Sequence, residues 1–202
     1  MKARTNSKIS LAIGIIFLFF GIGAIFNTIY LESGVAPILW MCYICMILLG
    51  IGSLRRDSFL IVSQLNLLAI PLLFWNIDFF YRLFSGHTVF GIVDYFFVSG
   101  PIFGKIISSQ HLITLPLALF ALWLIKLKKR EAWKISLFQI VIVYLASRLT
   151  TNPIQNVNCV FHSCSNLTIN FLPYWINWFA GYVIMIFATQ WVIWKFFVGK
   201  KK

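Results

Sequence analysis

Apolar residues run through this chain in long blocks, without the two-residue alternation of a strand, and short polar stretches separate them. Six blocks approach the roughly 20 residues with which a helix crosses a bilayer: 9–30, 38–54, 58–78, 107–126, 135–149 and 172–196. Pro37 suits the first turn of the second block, and Arg55, Arg56 and Asp57 mark a tight loop after it. Between the third and fourth blocks lies FFYRLFSGHTVFGIVDYFFVSGPIFGK (79–105), rich in aromatics but broken by Gly86, Gly91, Gly100, Pro101 and Gly104. That stretch predicts one or two interfacial or re-entrant helices at headgroup depth. The expected fold is all-α: one integral membrane domain over 1–202, a polytopic protein of six transmembrane helices with an interfacial or re-entrant helical segment between spans three and four.

Composition agrees. The chain has 60% hydrophobic and 11% charged residues with a mean hydropathy of +0.89, against about 25% charged residues in soluble domains. Such a backbone is satisfied in lipid only as helices or a closed barrel, and the unbroken apolar blocks select helices. The net charge of +12 does not point to nucleic acid, because the basic residues cluster between the apolar blocks. All of the 17 except Arg82, Lys105 and Arg148 fall on one side of the six-span topology. By the positive-inside rule that side is cytoplasmic, which predicts a multi-pass cell-membrane protein with both termini inside. A seventh span over 88–103 would carry KLKKREAWK (126–134) outside, against the same rule. The first block has the basic start of a signal peptide, Lys2, Arg4 and Lys8, but lacks a small-x-small cleavage site and reads as a retained span.

This topology gathers the unusual chemistry at the outer face. Cys42 and Cys45 of MCYICM (41–46) lie in the outer half of span two, and Asn76, Asp78 and Arg82 at the outer end of span three. Gln110 and His111 open span four, Arg148 ends span five, and Cys159, His162 and Cys164 occupy the loop 150–170. Ionisable groups at membrane depth face a partner or a wet cavity, so Asp78, His111 and Arg148 form a candidate group. Each also has a plain structural reading: Asp78 and Arg82 as an i, i+4 ion pair, Arg148 snorkelling, His111 bonding a neighbouring helix. Gln64 and Asn66, deeper in span three, read as interhelical hydrogen-bonding groups.

The cysteines admit several chemistries. Cys159 and Cys164 suit a structural disulfide on an oxidising side. Together with Cys42 and Cys45 they also resemble the membrane thiol oxidases, in which an outer-loop pair exchanges with substrate and a C-x-x-C passes electrons to a quinone. Zn²⁺ is a third reading, although C-x4-C in a loop with C-x-x-C in a helix is not a recognised ligand spacing. The fourth is a single nucleophile. His111-Leu112-Ile113-Thr114-Leu115-Pro116, preceded by LAIPLLFWNIDFFY (68–81), resembles the androgen-induced-protein and YwaF-like family of six-span fatty-acid-ester hydrolases. The resemblance implies a membrane-embedded hydrolase or acyltransferase acting on a lipid ester at the outer leaflet, without a cofactor. His111 takes the place of the family's catalytic histidine. Span two has no counterpart of the family's threonine, and Cys42 lies at comparable depth; imidazole can deprotonate a thiol. The expected roles are Cys42 as nucleophile, His111 as base, Asp78 orienting the imidazole, Arg148 or Asn76 stabilising an oxyanion, and Gln110 with Asn76 binding substrate. Beyond the bilayer, the expected partner is a lipid or acyl substrate. A non-catalytic subunit or transporter fits less well, because the polar groups gather at one end. Asn166-Leu167-Thr168 is a glycosylation sequon.

Overall fold

Apolar blocks in lipid must close their backbone hydrogen bonds within themselves, and they do so here as helices. The computed structural model describes residues 2–30, 36–127, 131–166 and 172–197. In order, these are α1 (Lys2–Tyr30), a 3-10 turn (Ala36–Leu39), α2 (Met41–Leu54), α3 (Ser58–Ser85) and α4 (Asp94–Phe97). They continue with α5 (Ile102–Ser108), α6 (Gln110–Ile125), α7 (Trp133–Thr150), a 3-10 turn (Val157–Cys159) and α8 (Tyr174–Phe197). No strand occurs among the described residues. Four stretches are long and apolar enough to cross a membrane: Thr5–Tyr30, Ser58–Ser85, Ile102–Ile125 and Tyr174–Phe197; α2 is a shorter apolar helix.

The burial pattern is that of a protein dissolved in hydrocarbon. On α1, Leu11, Ile15, Phe19, Ile22 and Phe26 are exposed at helical spacing, while Ser10, Asn27 and Thr28 are buried. Large apolar side chains cover the outward face, and the inward face carries polar groups beside Ile13, Phe17 and Ala24, unlike a helix whose outer face meets water. The spanning window of α3 is 61% buried against 28–33% for the other three, so α3 is the central helix. Its polar residues are matched by α7 and α8. Gln64 Nε2 donates to Gln139 Oε1 at 3.0 Å and Gln139 Nε2 returns a bond at 3.1 Å. Asn66 Nδ2 donates to Gln190 Oε1 at 3.0 Å. Interhelical amide pairing of this kind is what Gln64 and Asn66 predict.

Two boundaries differ from the sequence reading in ways that shape the site. Residues 79–85, expected in the interfacial segment, are the last two turns of α3. The helix does not stop at the charged Asp78 because that carboxylate finds partners inside the protein. It stops instead at Gly86, which adopts a left-handed φ of +78° and donates its N–H to the Arg82 carbonyl, as a helix-ending glycine does. The second difference is at 102–109, where α5 leads almost directly into α6, so the helix expected from 107 begins at Ile102. What remains between α3 and α5 is a loop with the single turn α4.

Candidate functional site

Asp78 organises the first wall of the site. Its side chain is fully buried. Oδ1 accepts the backbone N–H groups of Val89 and Phe90 at 2.6 and 2.8 Å, and Oδ2 those of Ile92 and Val93 at 2.8 and 3.2 Å. A four-donor cradle compensates the burial of a carboxylate, and it ties the loop after α3 back onto that helix. Arg82 is not its partner; the guanidinium carbon lies 5.9 Å above the Phe97 ring. The pinned loop in turn holds the second wall, since Phe90 accepts the N–H of Asn166 at 2.9 Å.

That second wall is the segment after α7. It contains a disulfide between Cys159 and Cys164. Asn156 folds the segment over itself, its Oδ1 accepting the N–H groups of Phe161 and His162 at 3.0 and 3.3 Å. Tyr174 of α8 donates its hydroxyl to the Cys159 carbonyl at 2.7 Å. Arg148 lies 4.3 Å over the Phe161 ring and reaches the Val160 carbonyl at 3.4 Å. The sequon begins at Asn166, but Leu167 and Thr168 lie outside the described residues.

Between these walls and the first turns of α2 and α6 is a cavity of about 620 Å³. Cys42 and His111 both line it, and so do Cys159 and Cys164. The half-buried Cys42 is a free thiol. His111 is held in three ways. Its ring stacks on Trp75 with centroids 4.8 Å apart, its carbonyl accepts Asn76 Nδ2 at 3.0 Å, and its Nδ1 lies 2.7 Å from the Ser108 carbonyl. The last contact follows from the α5–α6 junction. In an unbroken helix the Ser108 carbonyl would receive the N–H of Leu112, but that N–H bonds to Ser109 at 3.0 Å.

A carbonyl oxygen only accepts, so Nδ1 carries the proton and Nε2 keeps the lone pair. Gln110 Nε2 lies 3.1 Å from the same Nδ1, and Gln110 Oε1 lies 2.6 Å from Thr114 Oγ1. The two ends of an amide are interchangeable in such an assignment. With the Gln110 amide turned over, its oxygen accepts from Nδ1, and every contact pairs a donor with an acceptor. The resulting imidazole is oriented and stacked, with its lone pair at Nε2.

The structure therefore brings together part of the set named from sequence. Cys42, His111 and Gln110 share the cavity. Asp78, the expected orienter of His111, instead holds the loop, and the Ser108 carbonyl occupies the orienting position. Asn76 is committed to the carbonyls of Leu72 and His111, and Arg148 to the disulfide segment. Cys45, one turn further along α2, is fully buried and does not line the cavity; Gln139 Nε2 reaches its sulfur at 3.5 Å. Tyr95 and Lys105 line the cavity and were not singled out as site residues, and Trp75, also on its wall, entered only as part of the Phe-Trp-x-Ile of 68–81; Trp75 donates its indole N–H to Tyr95 at 3.1 Å. Trp75 lies four residues after Pro71 in the quoted 68–81 stretch, which was the available signal. Among the described residues no three of His, Cys, Asp and Glu form a metal-binding group. Comparison with protein-family models, with curated proteins and with solved structures finds no match to this chain.

Proposed function

We propose that this protein is a multi-pass membrane enzyme that cleaves or transfers the acyl group of a lipid ester, with Cys42 as nucleophile and His111 as its base. The observation that carries the reading is one cavity lined by a free thiol and by an imidazole whose Nδ1 is fixed on Ser108, which leaves Nε2 as the basic nitrogen. His111 takes the Cys42 proton as sulfur attacks the ester carbonyl, and the carbonyl electron pair moves to oxygen. Collapse expels the alkoxide, which His111 protonates, leaving an acyl thioester on Cys42. Water, or a second alcohol in a transferase, then attacks with His111 again as base, and the thiol is restored. Lys105 on the cavity wall is the cation offered to the developing oxyanion, in place of Arg148 and Asn76. The family resemblance around His111 and Pro116 points the same way.

In this reading α2 with its preceding turn and α7 complete six spans, and the basic residues at the opposite ends of the helices put both termini in the cytoplasm. The cavity then opens towards the outer leaflet, where an acyl chain reaches it from lipid.

One observation favours a second reading: the Cys159–Cys164 disulfide lines the same cavity as Cys42. A thiol oxidase would use it to oxidise a substrate dithiol and pass two electrons and two protons through Cys42 and Cys45 to a quinone. Cys45, fully buried and not lining the cavity, speaks for a single working thiol. The test is labelling of native membranes with a long-chain activated-ester probe, resolved by mass spectrometry. Cys42 is expected to carry the acyl group, Cys42→Ser to carry none, and His111→Ala to lose about 100-fold in rate, the scale of general-base catalysis. If Cys159→Ser with Cys164→Ser abolishes acyl turnover as fully as Cys42→Ser, the oxidoreductase reading replaces this one.

A further inference from the structure

The first N–H groups of a helix have no partner within it, and Trp40, which precedes α2, offers no side-chain cap. The cap comes from the disulfide segment. Asn158 Oδ1 accepts the Met41 N–H at 2.7 Å, and Asn158 Nδ2 donates to the Leu39 carbonyl at 2.8 Å and to Ser147 Oγ at 2.9 Å. Its own carbonyl accepts the Trp178 indole N–H at 2.9 Å. At 4% exposure, Asn158 joins α2, α7 and α8, and Cys42 is the residue directly after the N–H it holds.

The backbone around Asn158 is strained. Asn156, Asn158 and Cys159 have φ of +40°, +56° and +55°, the left-handed region that non-glycine residues enter rarely and asparagine most readily. Such conformations persist where the surroundings over-determine them. Here the surroundings are the Cys159–Cys164 disulfide, the Asn156 bonds and the Tyr174 hydroxyl on Cys159.

We propose that Asn158 is a positioning residue for Cys42: through this side chain the disulfide loop fixes the first turn of α2, and so the placement of the Cys42 thiol in the cavity that it shares with His111. The inference takes its purpose from the acyl-transfer reading, but its test reads the thiol alone. In the detergent-solubilised full chain with the disulfide intact, alkylation of Cys42 by N-ethylmaleimide is followed site by site across a pH series. Asn158→Gly keeps the left-handed backbone and removes the side chain. It is expected to change the Cys42 rate by about tenfold or more, since small displacements alter reactive geometry on that scale, and to move the pH profile towards that of His111→Ala. Asn158→Asp retains the acceptor for Met41 without the two donations, and falls between the two. A folded Asn158→Gly protein with the wild-type rate and pH profile overturns the proposal, even if it melts earlier, because the residue is then structural only. Where the glycine variant does not fold, Ser147→Ala, which removes one acceptor of Asn158, is judged by the same criterion with an expected change of about threefold, the scale of one hydrogen bond. Wild-type protein that turns over no ester, while Asn158→Gly still alters Cys42, removes the enzymatic reading and leaves the positioning role standing.

Discussion

A carboxylate within an apolar helix needs compensation, and Asp78 obtains it from four peptide N–H groups rather than from a cation. Asn at this position keeps one acceptor oxygen and turns an amide nitrogen towards two N–H donors. Asp78→Asn is therefore expected to destabilise by about 2–4 kcal/mol, the cost of leaving buried donors unpaired, read as a lower midpoint in denaturant titration. The Cys42 pH profile should keep its midpoint in that variant; a shift would restore Asp78 to the His111 orienting role. Asp78's depth was legible in the sequence, because a lone acid in an apolar block stands out. Its partners were not, because a backbone N–H has no residue type. His111 divides in the same way: its place at a span entrance was visible, while the Ser108 carbonyl that selects its tautomer exists only because the α5–α6 junction shifts one hydrogen bond.

Among the elements, α1 and α2 come together through glycines. A Cβ at Gly14 would lie 2.7 Å from Leu54 and 3.0 Å from the Gly50 carbonyl, and one at Gly50 would lie 2.7 Å from Leu18 and 3.0 Å from the Gly14 carbonyl. Such small-residue contact drives helix association in lipid, where burial of apolar surface supplies little. Gly50→Val is expected to force the pair apart and destabilise by about 1–3 kcal/mol. Gly181 in α8 meets nothing within 4 Å, so Gly181→Ala should be neutral or stabilise by up to about 1 kcal/mol through backbone entropy. Thermal unfolding in one detergent compares the two, and equal effects would contradict the packing account. Helix identity was readable from unbroken apolar blocks. Helix ends were less so: α3 overran its expected end by seven residues, because hydropathy registers Asp78 as polar whether or not the fold satisfies it.

At the scale of the whole molecule, the entrances of α2 and α6, the loop after α3 and the segment between α7 and α8 meet around one cavity. With the proposed orientation, a membrane-impermeant maleimide applied to intact cells should label Gln155→Cys, beside the disulfide segment, and leave Arg55→Cys, between α2 and α3, unlabelled until the membrane is opened. The reverse pattern would invert the topology and place the cavity on the cytoplasmic side. The membrane character, the all-helical class and the clustering of cysteines, His111 and Asp78 near one end were determined by the sequence alone. Transfer into lipid is a sum over residues taken one at a time, and charge placement along the chain is a local count. Which of those residues meet was decided only by the tertiary structure. Cys42 was left on the cavity wall while Cys45, one turn along the same helix, was closed into the core; Asp78 was separated from His111 by four peptide groups, and Asn158 was joined to Met41 across 117 positions. Contacts of that kind depend on the relative placement of distant segments, on which a residue-by-residue reading carries no information.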